Sequence, residues 1–349
     1  MKRIAFVYNW VPDRLHRGLL VECASGETIT AIEQALLQGG NEIISINLTS
    51  QAHLHAVIED KRPDFAFCIA EGFLDQPGTL YNGSGAALVR RRLAQLGVPA
   101  SHSSPEAMER CRNKEQTYRI LQAQGVACPW HLFLEGESLP DIPQSRFPLF
   151  VKPAGGGNSI GIDRGSVVGN SRQLVRRIRA VTRSLGPVSF VAEQYLPGPE
   201  YTVGVVGNAA PVVLPAIAFG REIRTAKVKR REVGKPRIIQ PREELFLQLR
   251  ELALKSFFAL GCADAIRVDI KADSAGNLYV IDVNGTPSLA PAASLAQMAA
   301  AAGLEHGEFL NLLLYYGLER TGIAHTAWEQ VAAAEAKLDA LRDHQPVVA

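Results

Sequence analysis

Ile266-Arg267-Val268-Asp269-Ile270 and Val280-Ile281-Asp282-Val283-Asn284 are two apolar runs that carry acids where a buried strand has none. Burying an ionised carboxylate is costly unless a cation compensates it, so Asp269, Asp282 and Asn284 read as oxygen ligands for hard divalent cations. Between the runs, Ala272-Asp273-Ser274-Ala275-Gly276-Asn277 is rich in turn residues. The runs are therefore expected to pair as a hairpin that gathers the three oxygen ligands at one end. Magnesium with a nucleoside triphosphate is the natural occupant. The competing account is a half-exposed hairpin whose acids are merely solvated.

Working outward, the 349 residues, 47% hydrophobic and 21% charged, suffice for two or three sub-domains and a substantial core. The formal net charge of +2 gives no ground for a nucleic acid or an acidic membrane as partner, which leaves small molecules. Cys23, Cys68, Cys111, Cys128 and Cys262 are odd in number and scattered, without a CxxC pair. They fit a reduced, cytoplasmic chain. No leader pattern opens the sequence, and neither residues 4–8 nor the alanine-rich residues 292–304 are long enough to span a bilayer.

Short β-prone runs at residues 4–8, 42–48 and 64–70 alternate with helical periods at 28–37 and 53–59. Such a βαβ pattern predicts a parallel sheet. A helix ending over residues 90–96 and the stop Gly97-Val98-Pro99 close this unit near residue 103. Ser104, Pro105 and Glu106 then offer an N-cap, a proline at the first helical position and an acid in the first turn. Helices are expected over 114–124, 171–184, 242–260, 308–316 and 327–341, and further strands over 130–134, 147–152, 189–195 and 201–207. The basic residues 221–237 fit no period and read as a mobile loop. The expected division is 1–103, a βαβ substrate-side unit; 104–208, a central unit with a glycine-rich loop; 209–320, a unit with the metal site; and 321–349, a terminal helix with no partner evident from sequence.

In Val151-Lys152-Pro153-Ala154-Gly155-Gly156-Gly157-Asn158-Ser159 a lysine at a strand end precedes glycines that let backbone amides approach an anion closely. Lys152 would hold the α- and β-phosphates, with Gly155, Gly156, Gly157, Asn158 and Ser159 over the β- and γ-groups. A hairpin tip reads the same way. Glu193-Gln194-Tyr195-Leu196 and Gly198-Pro199-Glu200 supply a hinge for a base and a carboxylate for a ribose, or else an ordinary hairpin.

The order of these motifs says more than any one of them. Lys114, Lys152 with its glycines, EQYLPGPEYTV, and RVDI followed by YVIDVNGTPSLAP together resemble the ATP-grasp superfamily, and within it the D-alanine–D-alanine ligase family. The resemblance runs from about residue 83 to residue 303. It implies an ATP-grasp fold, an α/β chain of α+β sub-domains behind an N-terminal parallel-sheet domain. It further implies ATP with two Mg2+, or Mn2+ in their place. Lys114 and Lys152 resemble the family's phosphate-binding lysines. Glu193 would meet the adenine amino group, Gln194, Tyr195 and Leu196 form the hinge, and Glu200 hold the ribose. Lys227 resembles the mobile-loop lysine that reaches the γ-phosphate. Asp269, Asp282 and Asn284 match the two-magnesium ligands, and Arg267 matches the arginine that stabilises the transition state. Backbone amides near Thr286 to Leu289, Ser288 among them, would join Arg267 at the oxyanion. Ser294 and Leu295 resemble the pair that binds the second substrate's carboxylate, although an N-cap explains the serine equally well.

The implied reaction joins two small amino-acid-like substrates through an acyl phosphate, and a homodimer is expected. Departures concern the amino-acid end. The loop serine pair reads Asn158-Ser159, the tyrosine after the loop lysine is Val228, and Asp282 stands where glutamate is usual. The opening glycine-rich turn is Asn9-Trp10-Val11-Pro12-Asp13, the HG…GEDG segment reads Ala70-Glu71-Gly72 onward, and only Glu22 or Glu27 offers the amino-terminal glutamate. Altered specificity is therefore expected. The alternatives are an authentic D-alanine–D-alanine ligase, a non-catalytic nucleotide-binding regulator and a kinase-like phosphotransferase. Retention of Arg267, which a pure binder does not need, argues against the regulator.

Overall fold

The computed structural model describes residues 1–81, 84–135, 140–155, 161–220, 223, 237–326 and 329–343. The N-terminal unit is the parallel sheet that the βαβ pattern predicts, in the order β2 (Glu42–Asn47), β1 (Arg3–Tyr8), β3 (Phe65–Cys68). Helices α1 (Gly26–Gln38) and α2 (Gln51–Lys61) begin where Ser25 and Ser50 accept the amide N–H three residues on. Helices α3 (Pro77–Tyr81) and α4 (Ser84–Gln95) follow β3. The Ser104 cap and N1 proline of α5 (Pro105–Arg112) are as expected, and Asn113 caps α6 (Lys114–Ala123).

A four-stranded antiparallel sheet has the order β4 (His131–Leu134), β7 (Phe190–Gln194), β5 (Leu149–Pro153), β6 (Val167–Val168). It is backed by α7 (Ser171–Leu185), whose Leu174, Ile178 and Val181 are buried at helical spacing. The next strand, β8 (Glu200–Val206), leaves this sheet for a six-stranded antiparallel one. There β11 (Arg237–Ile239), β10 (Ala216–Phe219), β8, β12 (Ala265–Ala272) and β13 (Leu278–Asn284) lie in that order, with β9 (Val212–Val213) on β8. The sheets thus part between Gln194 and Glu200, one strand before residue 208. At that turn a Cβ on Gly198 would stand 2.6 Å from the Ala272 carbonyl, so only glycine lets the hinge press on β12.

Helix α8 (Glu244–Leu260) lies on the six-stranded sheet, where Phe246, Leu249, Ala253, Phe257 and Leu260 bury against Val203, Val205, Ile266, Val268 and Ile270. Each large side chain so buried contributes roughly 1.5–3 kcal/mol. Helices α9 (Ser294–Ala301), α10 (His306–Arg320) and α11 (Glu329–Asp343) complete the chain. The terminal helix has a partner after all: Val331, Ala334 and Leu338 join the α10 core, and Lys337 donates to Glu308 at 2.6 Å. No helix among the described residues is long and apolar enough to cross a membrane.

A buried polar junction ties the N-terminal unit to the large sheet. Asp264 accepts from the His102 amide at 2.7 Å and from Arg320 at 2.9 and 3.0 Å. Burial, then the charges of Arg90 and Arg320, pushes the His102 imidazole down from 6.5 to about 3. The native state therefore holds it neutral, whereas the unfolded chain takes up a proton below pH 6.5. The associated stability is complete above that pH and is lost as pH falls toward the folded value. At pH 5 the loss from this group is about 2 kcal/mol. His102→Asn, which tolerates the local φ of 67°, should lose about 2 kcal/mol less than wild type between pH 7.5 and 5 in urea denaturation. Equal losses would show that His102 is not the acid-sensitive group.

Candidate active site

Strand β12 has two faces. Ile266, Val268 and Ile270 enter the core beneath α8, while Arg267, Asp269 and Lys271 line a cleft of about 940 Å3. Across the ladder Asp269 pairs with Asp282 and Arg267 with Asn284, so the expected ligands do converge. The guanidinium of Arg267 grips Asp269 through two bonds, Nε to Oδ1 and Nη2 to Oδ2, each 2.9 Å. Thr202 donates to the same carboxylate at 2.6 Å. Burial disfavours the Arg267 charge, yet Asp269, Asp282 and Glu200 outweigh it and raise the pKa. Lys114, in the first turn of α6, donates to Asp282 Oδ1 at 2.8 Å. Burial would raise the Asp282 carboxyl, but Lys114 and then Lys152 overcome both that and the repulsion of Asp269, leaving it below its ordinary value.

The ladder slips at this point, for Asp269 faces Asp282 while Ile270 faces Val280. Ile281 is thus the extra residue of a β-bulge. Its carbonyl accepts from the Lys152 ammonium at 3.2 Å and from the Tyr118 hydroxyl at 3.0 Å. The same two donors meet on Glu193 Oε1, Lys152 at 2.8 Å and Tyr118 at 2.6 Å. Glu193, at the centre of the four-stranded sheet, is therefore committed to internal partners and is only 3% exposed.

One end of the cleft is walled by Phe150, Gln194, Tyr195, Leu196, Phe219 and Ile281. It carries Glu200, whose carboxylate lies 3.6 Å from Lys271. An apolar slot with hinge backbone and a carboxylate at its mouth suits a nucleoside. The other end is lined by Glu22, Glu71, Arg112, Thr286, Ser288 and Ser294. Here Glu71 accepts from Thr286 Oγ1 at 2.6 Å and is ion-paired with Arg112, which also donates to Thr286 at 3.1 Å. Burial disfavours the Arg112 charge, but Glu71 and Glu22 raise its pKa. The Thr286 amide in turn donates to Asn284 Oδ1 at 3.0 Å.

Of the expected residues, Lys114, Lys152, Gly155, Glu193 to Leu196, Glu200, Arg267, Asp269, Asp282, Asn284, Ser288 and Ser294 all line this cleft. Gly156, Gly157, Asn158, Ser159 and Lys227 lie outside the described residues. Leu295 does not line the cleft; it is buried in the core, where a Cβ on Gly204 would come within 2.6 Å of its Cδ1. The cap explanation for Ser294 fails as well, because the helix starts one residue early with Ala293 at its N-cap and no side-chain bond. Between the two candidate glutamates, Glu22 reaches the cleft and Glu27 does not. Tyr118 and Arg112 lie outside the sequence motifs, and Thr286, expected for its backbone amide, also contributes its side chain. A signal existed for Tyr118, four residues after Lys114 and so on the same helix face.

Two carboxylates and an amide oxygen, with cations already drawn to both acids, form a donor set that fits a hard divalent cation. Among the described residues no cluster of three or more His, Cys, Asp or Glu forms, so any such ion would draw its other ligands from a bound phosphate or water.

Comparison with known proteins agrees with this geometry. The family described as D-ala D-ala ligase C-terminus matches residues 137–315, just over half of the chain. The D-alanine--D-alanine ligase of Pelotomaculum thermopropionicum is 28% identical over 280 residues, 76% of this chain and 84% of that protein. The D-alanine--D-alanine ligase of Carboxydothermus hydrogenoformans is 27% identical over 302 residues, 83% and 92% of the two chains. The crystal structure of the D-alanine--D-alanine ligase from Bacillus anthracis complexed with ATP shares the fold at a TM-score of 0.71 and 23% identity. That match covers 92% of this chain and 99% of that one. With its hinge, its two lysines and its acidic hairpin in one cleft, the chain belongs to the D-alanine–D-alanine ligase family of ATP-grasp enzymes, which are ADP-forming ligases.

Proposed function

We propose that the protein joins two small amino-acid-like substrates, a carboxylate and an amine, into an amide at the expense of ATP, with a specificity that differs from the family's. The observation that carries this is the Asp269–Asp282 pair facing across β12 and β13 with Lys114, Lys152 and Arg267 around it. That charge pattern suits a triphosphate bridged by cations. Asp269, Asp282 and Asn284 would hold two Mg2+, which when bound neutralise the phosphate oxygens. Lys114 and Lys152 bind the phosphates, residues 194–196 hold the base, and Glu200 holds the ribose. Gly156, Gly157, Asn158, Ser159 and Lys227, which lie outside the described residues, would serve the β- and γ-phosphates. A substrate carboxylate then attacks the γ-phosphorus, ADP departs, and an acyl phosphate forms. The amine attacks its carbonyl and phosphate leaves, while Arg267 and the amides beside Ser288 hold the oxyanion.

Support for altered specificity comes from the far end of the cleft, where Glu71 and Arg112 bind one another and Thr286. The second account, an authentic D-alanine–D-alanine ligase, draws on relatives so named that this chain matches over 84% and 92% of their length.

Screening D- and L-amino acids in pairs for ADP release, with mass spectrometry of the products, should find ADP only when a carboxylate and an amine partner are both present. D-alanyl-D-alanine as the best product would favour the second account, and ADP with no pair at all would refute the ligase. Asp282→Asn should cut ATP cleavage by at least ~100-fold with an unchanged circular dichroism spectrum; turnover near wild type would refute the metal assignment. Arg267→Lys keeps a charge beside Asp269 but loses the fork. It should lower kcat by ~10–100-fold with the KM for ATP within ~3-fold. A change confined to KM would remove Arg267 from the transition state.

A further inference from the structure

We propose that Tyr118 is a positioning residue for nucleotide binding, aiming Lys152 through its hydrogen bond to Glu193, with the Ile281 carbonyl as the more distant acceptor of the same phenol proton. Tyr118 and Lys152 engage the same two oxygens. Glu193 Oε1 lies 2.6 Å from the hydroxyl and 2.8 Å from the ammonium, and the Ile281 carbonyl lies 3.0 and 3.2 Å from them. Glu193 is only 3% exposed, so its Oε1 depends on these two donors. If the phenol were absent, the carboxylate would rest on Lys152 alone and hold that ammonium more tightly. With the phenol donating its proton to Glu193, one carboxylate oxygen is shared between two donors and holds Lys152 less tightly, so the ammonium can turn its third N–H toward a phosphate.

The position of Tyr118 in the fold supports this. It stands one turn after Lys114 on α6, and the two side chains meet adjacent residues of β13: Lys114 takes the Asp282 carboxylate at 2.8 Å and Tyr118 the Ile281 carbonyl. The bulge frees that carbonyl from the ladder, and α6 and β5 bind it from two sides. Tyr118 is fully buried and its ring lies 4.7 Å from that of His131, so the hydroxyl has little freedom to leave. Burial, then the charge of Glu193, pushes its pKa well above 10, which keeps it a proton donor. It touches no reacting atom; its effect passes through Glu193 to Lys152.

The inference rests on the nucleotide reading of the cleft, and titration with the β,γ-imido analogue of ATP plus Mg2+ separates the two. Absence of binding to wild type would sink that reading. Given binding, Tyr118→Phe should raise the Kd by about tenfold, the usual effect of one charge-assisted hydrogen bond. The KM for both amino-acid substrates should stay within about twofold, and Tm should fall by less than about 5 °C. The decisive readout is a double-mutant cycle with Glu193→Gln. Because Tyr118 acts through the carboxylate, Tyr118→Phe should cost less than about threefold in that background, whereas independent packing losses multiply. An unchanged Kd, a multiplicative double mutant, or a Tyr118→Phe protein that fails to fold would each overturn the proposal.

Discussion

Two carboxylates placed directly opposite each other on neighbouring strands are the constraint around which the cleft is organised. Asp269 and Asp282 share a rung of the β12–β13 ladder, where like charges repel. Unit charges ~5 Å apart at an effective dielectric of ~20 repel by roughly 3 kcal/mol. Positive groups must answer that cost, and they arrive from three places: Lys114 from α6, Lys152 from the four-stranded sheet, and Arg267 from β12 itself. None of the three is interchangeable. Arg267 meets Asp269 as a fork, Lys114 meets Asp282 as a point charge, and Lys152 arrives by way of Glu193 and the Ile281 carbonyl. Two of the three cations come from outside the hairpin, which makes this part of the cleft a product of tertiary structure.

What could be read in the sequence follows from how local each signal is. The alternation along residues 265–272 separates core from cleft with period two, and that period survives in the structure. The helix start at Ser104 is signalled by a cap, a proline and an acid within three residues, and it is observed. Short strands carried too little pattern. Val212–Val213, Ala216–Phe219 and Arg237–Ile239 span two to four residues each, and Pro215 interrupts the apolar run from which the first two are cut. The Glu71 network left no trace either, since its partners lie 41 and 215 residues away and no periodicity connects them. The bulge at Ile281 was invisible for another reason: a register slip is a property of two strands together, and neither strand's sequence announces it.

The same distinction separates the two ends of the cleft. The end of the cleft that bears Glu200 is built from contiguous segments: residues 194–200 and the β12–β13 hairpin that Gly198 presses against. The opposite end is assembled from residues 21–28, 69–71, 111–112 and 286–297, four stretches far apart in the sequence. Substitutions there alter pocket shape without disturbing any single element's hydrophobic pattern. That freedom explains how the hinge and hairpin can keep the family's residue order while the first hundred residues carry Ala70-Glu71-Gly72 and Asn9-Trp10 in place of its usual segments.

That freedom has a limit set by hydrogen bonds. Asn9, buried at the end of β1, accepts the amides of Glu71 and Gly72 at 2.8 and 3.2 Å and so fixes where the Glu71 side chain begins. Glu71 holds the Thr286 hydroxyl, and the Thr286 amide holds Asn284 Oδ1. A continuous chain of bonds therefore runs from the N-terminal sheet to the amide oxygen beside the paired acids. Cutting it at Glu71 would leave Arg112 with an uncompensated charge in a largely buried place, the costly way to lose a buried pair. The shape of this end of the cleft and the geometry of the acidic hairpin are therefore linked by hydrogen bonds, and a change of residue 71 must also supply a partner for Arg112 and an acceptor for the Thr286 hydroxyl.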